Sequence, residues 1–487
     1  MSDMYFIGVD GGSQSTKVSI FNQSGDVVCS ASEPLRPMVS RQPGYMEHPD
    51  DDLWDSLKVV LKRVMGSFQG DADKILGLGL CSIRCCRAFM RADGTLAAPV
   101  MSWMDVRAYE TFEDRPDISY TCSPTGYLTH RLTGEFKDSA ANAYPGQFPV
   151  DVDTWAWAAD AQRLGEFRIP RAKLLEIGLP GAVLGRVSPS AAAQTGLPVG
   201  LPVVATANDK AVEALGAGLT EPNVGLVSLG TYSASMVYGA ENRTDATHFF
   251  TNMACVPHHY LYEAGGIRKG MGHISWFKSI IGEEYAAKAR EDGRSVEEAL
   301  GQEAAAVPAG SDGLLTIPDW LAPASQLHRK GVILGFDDRH TRGHIFRALL
   351  EGIAMTLMNS YDDMNHELGI RPDSIIVSGG GANSDLLMQI LADVSGVKTS
   401  RNEVTGAAAL GAAMCAAVAA GVYKDAHEAA GHMVKRRDAF LPNPQSHQVY
   451  SRINTKAYRQ LGSLLEPALQ AVHRAVGDDC EDGARSV

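Results

Sequence analysis

A chain of 487 residues is too long for one ordinary hydrophobic core, so two or three domains are expected. Its formal net charge of -13 argues against nucleic acid or an anionic membrane as partner, because neither is attracted by the overall field; any anionic ligand is left to local donors or a metal. The 8 cysteines are scattered without a C-x-x-C pair and no apolar leader precedes Tyr5, which fits reduced thiols in the cytoplasm.

From the N-terminus, Tyr5 to Val9 reads as a strand, "DGGSQST" as a loop, Lys17 to Phe21 as a second strand, Asn22 to Asp26 as a turn and Val27 to Ser30 as a third strand. These are antiparallel hairpins, and the loop lacks the G-x-x-x-x-G-K-[ST] spacing of a P-loop. Asp10 at the strand end suits a hydrated magnesium ion, directly or through water, and the glycines let backbone N–H groups approach phosphate oxygens. Gly12, Ser13, Gln14 and Lys17 are the expected phosphate contacts of this loop, with a plain D-G turn as the competing reading. A helix opens at Asp50 to Asp52, with Leu53, Leu57, Val60, Leu61 and Val64 at helical spacing, and Ile75 to Leu80 is a buried strand.

Next come "CSIRCCRAF" and "VMSWMDVRA", which carry Arg84, Trp103 and Asp105. An indole stacks on sugar C–H groups while Asp and Arg accept from and donate to hydroxyls, so the set suits a polyol; a core tryptophan beside a surface Asp–Arg pair is the bland alternative. Cys85 and Cys86 lack metal spacing and read as packing. Further on, "GLPVVATANDKAVEALGAGL" runs strand, Asn208-Asp209, helix. Asp209 thus stands where a working carboxylate sits in an open α/β sheet, although either residue is also a good helix cap.

The opening grammar then returns: a strand to Leu229, a small-residue loop at Gly230, Thr231, Tyr232 and Ser233, a strand to Tyr238 and a polar turn. A helix over His344 to Leu368, a strand over Ser374 to Val377, the run "SGGGANS", a helix over Asp385 to Val394 and an alanine-rich buried helix follow. Two α/β lobes of related plan, residues 1–219 and 220–475, are the economical reading, with 476–487 as a disordered tail. Two such loops can grip a nucleotide's phosphates between them, and hinge closure can exclude water. A dinucleotide fold is the poorer fit, since the early glycines lead into a strand and the glycine run comes late.

Taken together, these segments resemble the FGGY family of carbohydrate kinases, whose xylulokinase, glycerol kinase and autoinducer-2 kinase branches are close in places. The most specific match is "GVILGFDDRHTRGHIFRALLEGIA", Gly331 to Ala354, supported by Gly44 to Pro49 with Trp54 downstream. The resemblance implies two ribonuclease-H-like lobes of the actin and hexokinase superfamily around a nucleotide and sugar cleft. It implies ATP and Mg²⁺, with Asp10 at the metal and Asp209 as general base and weaker metal contact. It puts Gly230 and Thr231 in the second phosphate loop, Gly380, Gly381 and Asn383 at the adenosine, and Arg84, Trp103, Asp105 and Asp209 at the sugar. Two departures are a short stretch between Arg107 and Gly126, and Cys85 where an acid is expected. The expected function is phosphorylation of a small ketose; glycerol, another polyol or an autoinducer-2-like acceptor is the alternative. A nucleotide-driven binding module is the rival from another class, and a homodimer is a further expectation.

Overall fold

Two hairpin-led sheets organise the computed structural model, which describes residues 4–323 and 326–484. The first is built from β1 (Tyr5–Gly11), β2 (Ser15–Asn22), β3 (Val27–Pro34), β4 (Ile75–Ser82), β5 (Val183–Arg186) and β6 (Pro202–Ala205). Its spatial order is β5-β6-β4-β1-β2-β3. β1 pairs antiparallel with β2 and parallel with β4, and β4 pairs parallel with β6. Helix α1 (Asp52–Ser67) packs Leu53, Trp54, Leu57, Val60, Leu61 and Val64 into a core beneath this sheet. β3 runs on to Pro34, beyond the Ser30 expected, because β2 supplies ladder partners as far as Ser15 opposite Pro34.

After α2 (Asp209–Ala217) the plan repeats. β7 (Val224–Leu229), β8 (Ser233–Gly239), β9 (Phe249–Met253), β10 (Tyr260–Ala264), β11 (Ser374–Ser378), β12 (Lys398–Asn402) and β13 (Arg436–Phe440) form the second sheet. Its order, β9-β10-β8-β7-β11-β12-β13, again places an antiparallel hairpin beside parallel crossover strands. The crossover helices are α3 (Arg342–Leu368) between β10 and β11, and α4 (Asp385–Ser395) between β11 and β12. α3 begins two residues before the expected His344 because Thr341 and His344 cap one another reciprocally.

The alanine-rich segment is α5 (Ala407–Ala419), buried along most of its length. Late as it is in sequence, it lies against β1 and β4 of the first sheet and against α2. One continuous core runs from the first sheet through α2 and α5 into the second. Among the described residues no helix is long and apolar enough to cross a membrane. The last helix, α6 (Arg459–Ala484), extends into the stretch expected as a tail from residue 476, and residues 485–487 lie outside the described residues.

Candidate active site

The two sheets present their hairpin loops to one cavity of about 580 Å³. On the first lobe β1 delivers Asp10 to the rim, with Lys17 opposite it on β2, and the connecting turn adds Gly12, Ser13 and Gln14. On the second, β7 and β8 are joined by Gly230, Thr231 and Tyr232, which line the facing wall. Gly379 and Gly380 follow β11 into the same space. Gly379 holds φ +83, and a Cβ there would lie 2.6 Å from the Leu229 carbonyl, so glycine alone lets this turn rest on the end of β7.

Asp209 begins α2, and the capping alternative falls to its neighbour: the Asn208 side chain accepts from the Ala211 N–H. Asp209 is left facing the cavity with its side chain 30% exposed. Enclosure raises its carboxyl above the usual range, opposed by Arg84 and Lys210. The Arg84 Nε stands 3.7 Å from Asp209 Oδ1, while both Nη atoms donate to the Glu263 carboxylate at 2.7 Å. Glu263 belongs to β10 of the other lobe and is fully buried. A polar ring closes from there: the Asn252 amide donates to Glu263 at 3.4 Å, and the Asn208 amide donates to Asn252 at 3.1 Å.

Below the hairpin loops lies a second network. The Lys210 ammonium donates to Glu213 at 3.0 Å and to the Ser228 hydroxyl at 2.6 Å; Ser228 and Ser378 donate to Glu213. Burial alone would raise Glu213, but Lys210 and these hydroxyls outweigh it and hold the carboxyl below its ordinary value. Burial pushes the Asp10 carboxyl up to about 6, with Lys17 opposing and Asp209 and Glu213 reinforcing. A divalent cation would relieve that crowding of carboxylates. Among the described residues no three His, Cys, Asp or Glu side chains form a metal cage by themselves. That donor set fits magnesium, which keeps its waters and takes one or two carboxylates plus phosphate oxygens.

Of the residues expected from sequence, Asp10, Gly12, Ser13, Gln14, Lys17, Arg84, Trp103, Asp209, Gly230, Thr231 and Gly380 meet in this cavity. Three do not. Asp105 has no exposed surface: its oxygens accept from the Met46 and Arg107 N–H groups and from the Arg107 guanidinium, so it caps a short helix over Val106–Tyr109. Gly381 is buried against the Leu229 side chain and the Met271 sulfur. Asn383 lines a small recess beside Arg401 and Asn402, which meets the main cavity at Gly379, Thr405 and Ala407. Cys85, read as packing, lines the cavity in a left-handed conformation at φ 60. Lys210, Glu213 and Glu263 were missed, although charges within an alanine-rich helix and an apolar strand are the signal that exposes such residues.

Residues 5–120 match the N-terminal domain, and residues 225–420 the C-terminal domain, of the FGGY family of carbohydrate kinases. The chain is 44% identical, over 98% of both lengths, to a protein of Escherichia coli K12 described as uncharacterized sugar kinase YgcE. It is 25% identical to the xylulose kinase of Bacillus subtilis, covering 92% of this chain and 95% of that one. The crystal structure of xylulose kinase from Rhodospirillum rubrum superposes with a TM-score of 0.80 at 26% identity, covering 96% of this chain and 100% of that one. The repeated sheets, their shared cleft and these matches together establish that the chain belongs to the FGGY family of carbohydrate kinases.

Proposed function

We propose that this sugar kinase transfers the γ-phosphoryl group of ATP to a hydroxyl of a small ketose or open-chain polyol, with Asp209 as general base. The observation that carries the reading is the convergence of Asp209, Asp10 and both hairpin loops on one cavity. Asp209 accepts the proton of the attacking hydroxyl; Arg84, itself held by Glu263, orients that carboxylate and the sugar. Gly12, Ser13, Gln14, Gly230 and Thr231 donate to the phosphates, and Lys17 adds a positive charge where negative charge develops. Asp10, with a weaker contribution from Asp209, would hold magnesium, which supplies charge neutralisation across the phosphates when bound. Gly380 lies on the path of the adenosine. Drawing the lobes together keeps water from the phosphorus and limits idle hydrolysis. The ketose preference rests on the xylulose kinases among the relatives.

A coupled assay of ADP release tests this. Release should depend on added sugar, and Asp209→Asn should lower kcat by ~10² to 10⁴ while nucleotide still protects the protein from heat. Equal ATP hydrolysis with and without sugar, or wild-type turnover by the variant, would refute the reading.

A further inference from the structure

The sugar-facing end of the cavity is lined by Arg84, Trp103, Tyr109, Tyr144, Phe250 and Arg268. The cations around the cavity are compensated unequally. Arg84 is bound by Glu263, Lys210 by Glu213, and Lys17 stands opposite Asp10 at the phosphate end. Arg268 differs. Among the described residues its guanidinium has no hydrogen-bond or ion-pair partner, and its Nε is shut off from solvent. Its contact is the Trp103 indole, 5.6 Å from the ring centroid, on the opposite lobe.

The segment that carries Arg268 is fixed on either side. Ile267 exchanges both backbone hydrogen bonds with Ser233, the Gly266 N–H donates to the Tyr232 hydroxyl, and the Met271 N–H donates to the Gly230 carbonyl. The backbone that carries the guanidinium is therefore fixed against the Gly230 loop. Tyr144, which lines the same cavity near Arg84 and Cys85, also has a hydroxyl without a partner among the described residues. Cys85 is uncharged at neutral pH, because burial pushes its thiol up to about 12. This end of the site thus offers a free cation and a free hydroxyl donor, while its carboxylate Glu263 is already occupied by Arg84.

An unpaired, partly desolvated guanidinium is poorly served by neutral hydroxyls, which each give it one weak acceptor. A carboxylate matches its fork with two charge-assisted bonds. We infer that the carbohydrate phosphorylated here carries a carboxylate, as an aldonate or ketoaldonate does, and that Arg268 is the residue that recognises it. The inference rests on the kinase reading of the same cavity and replaces its ketose preference with an acidic acceptor. The alternative for Arg268 is a phosphate of ATP, since its segment adjoins the Gly230 loop; the two differ in which KM responds.

The test measures ADP release with pairs differing only in a terminal carboxylate against CH₂OH: D-gluconate with D-glucitol, D-xylonate with xylitol, and L-threonate with L-threitol. D-Xylulose and D-ribulose stand as neutral ketoses. Wild type should favour at least one acid over its alditol, and over both ketoses, by about 10-fold or more in kcat/KM. Arg268→Gln should erase that preference by raising the acid's KM and leave the KM for ATP within about 2-fold; Arg268→Lys should recover part of it. Better turnover of the neutral members, or a rise in the KM for ATP without one for the acid, would overturn the assignment. ADP release that ignores every compound would instead remove the kinase reading beneath it.

Discussion

Asp10 shares one enclosed space with two other carboxylates, Asp209 and Glu213, and with the ammonium groups of Lys17 and Lys210. Its folded-state value of about 6 lies above the 3.8 of an unperturbed carboxyl, so the folded protein binds the extra proton between those two values. Its ionised form therefore opposes folding above about pH 6, and the opposition lifts as pH falls toward 4. Asp10→Asn should raise stability without nucleotide at pH 7.5, by up to about 3 kcal/mol, with the gain fading near pH 4. Calorimetry at the two pH values checks this; a gain that does not change with pH would disprove the electrostatic account. The sequence marked Asp10 because it stands where a strand runs into a loop, and Asp209 because it stands where a helix opens after a strand, places where side chains meet solvent or ligand. It failed on Asp105 because W-x-D-x-R spells the same letters whether the carboxylate faces a sugar or, as here, turns inward to Arg107 and the Met46 N–H.

Helices α2 and α5 meet through glycine. A Cβ on Gly411 would lie 2.0 Å from the Val212 carbonyl oxygen, and one on Gly216 would lie 1.7 Å from that of Ala407. Both obstacles are backbone, which no rotamer change relieves, so the helices approach more closely than any residue with a side chain allows. Gly411→Ala should cost about 3 kcal/mol, seen as a lower urea midpoint, whereas Gly462→Ala, with nothing within 4 Å in α6, should be neutral or slightly stabilising. Equal midpoints for the two variants would mean that this contact is not limiting. Composition announced a helix with close neighbours; that the neighbours are α2 and strands β1 and β4 of the other lobe followed only from the chain's return path. The repeated hairpins were legible because alternation and loop chemistry are local, and pairing with β2 alone extended β3 to Pro34.

The lobes are joined across the cleft by the Arg84–Glu263 pair and, through Asn252 and Asn208, by the cap of the helix that begins with Asp209. The Asp209 carboxylate is thus held by contacts that span both lobes. Arg84→Ala leaves Glu263 buried without its counter-charge, so it should lower stability by about 3 kcal/mol or more and raise the sugar's KM far more than that of ATP. Thermal unfolding and steady-state kinetics on the same preparation check both; an unchanged sugar KM would move the sugar site elsewhere. From the sequence alone came two α/β lobes, two phosphate-type hairpin loops and a carboxylate at a strand-to-helix junction, because each is written in residues close together along the chain. Tertiary structure alone decided that the Lys210–Glu213 pair, three residues apart on α2, is buried, that Glu263 reaches across to Arg84, and that Arg268 faces Trp103 with its charge unmatched. Those relations join residues up to 179 positions apart, and whether a charge is answered depends on which side chains folding brings within about 4 Å of it, a distance no local pattern encodes.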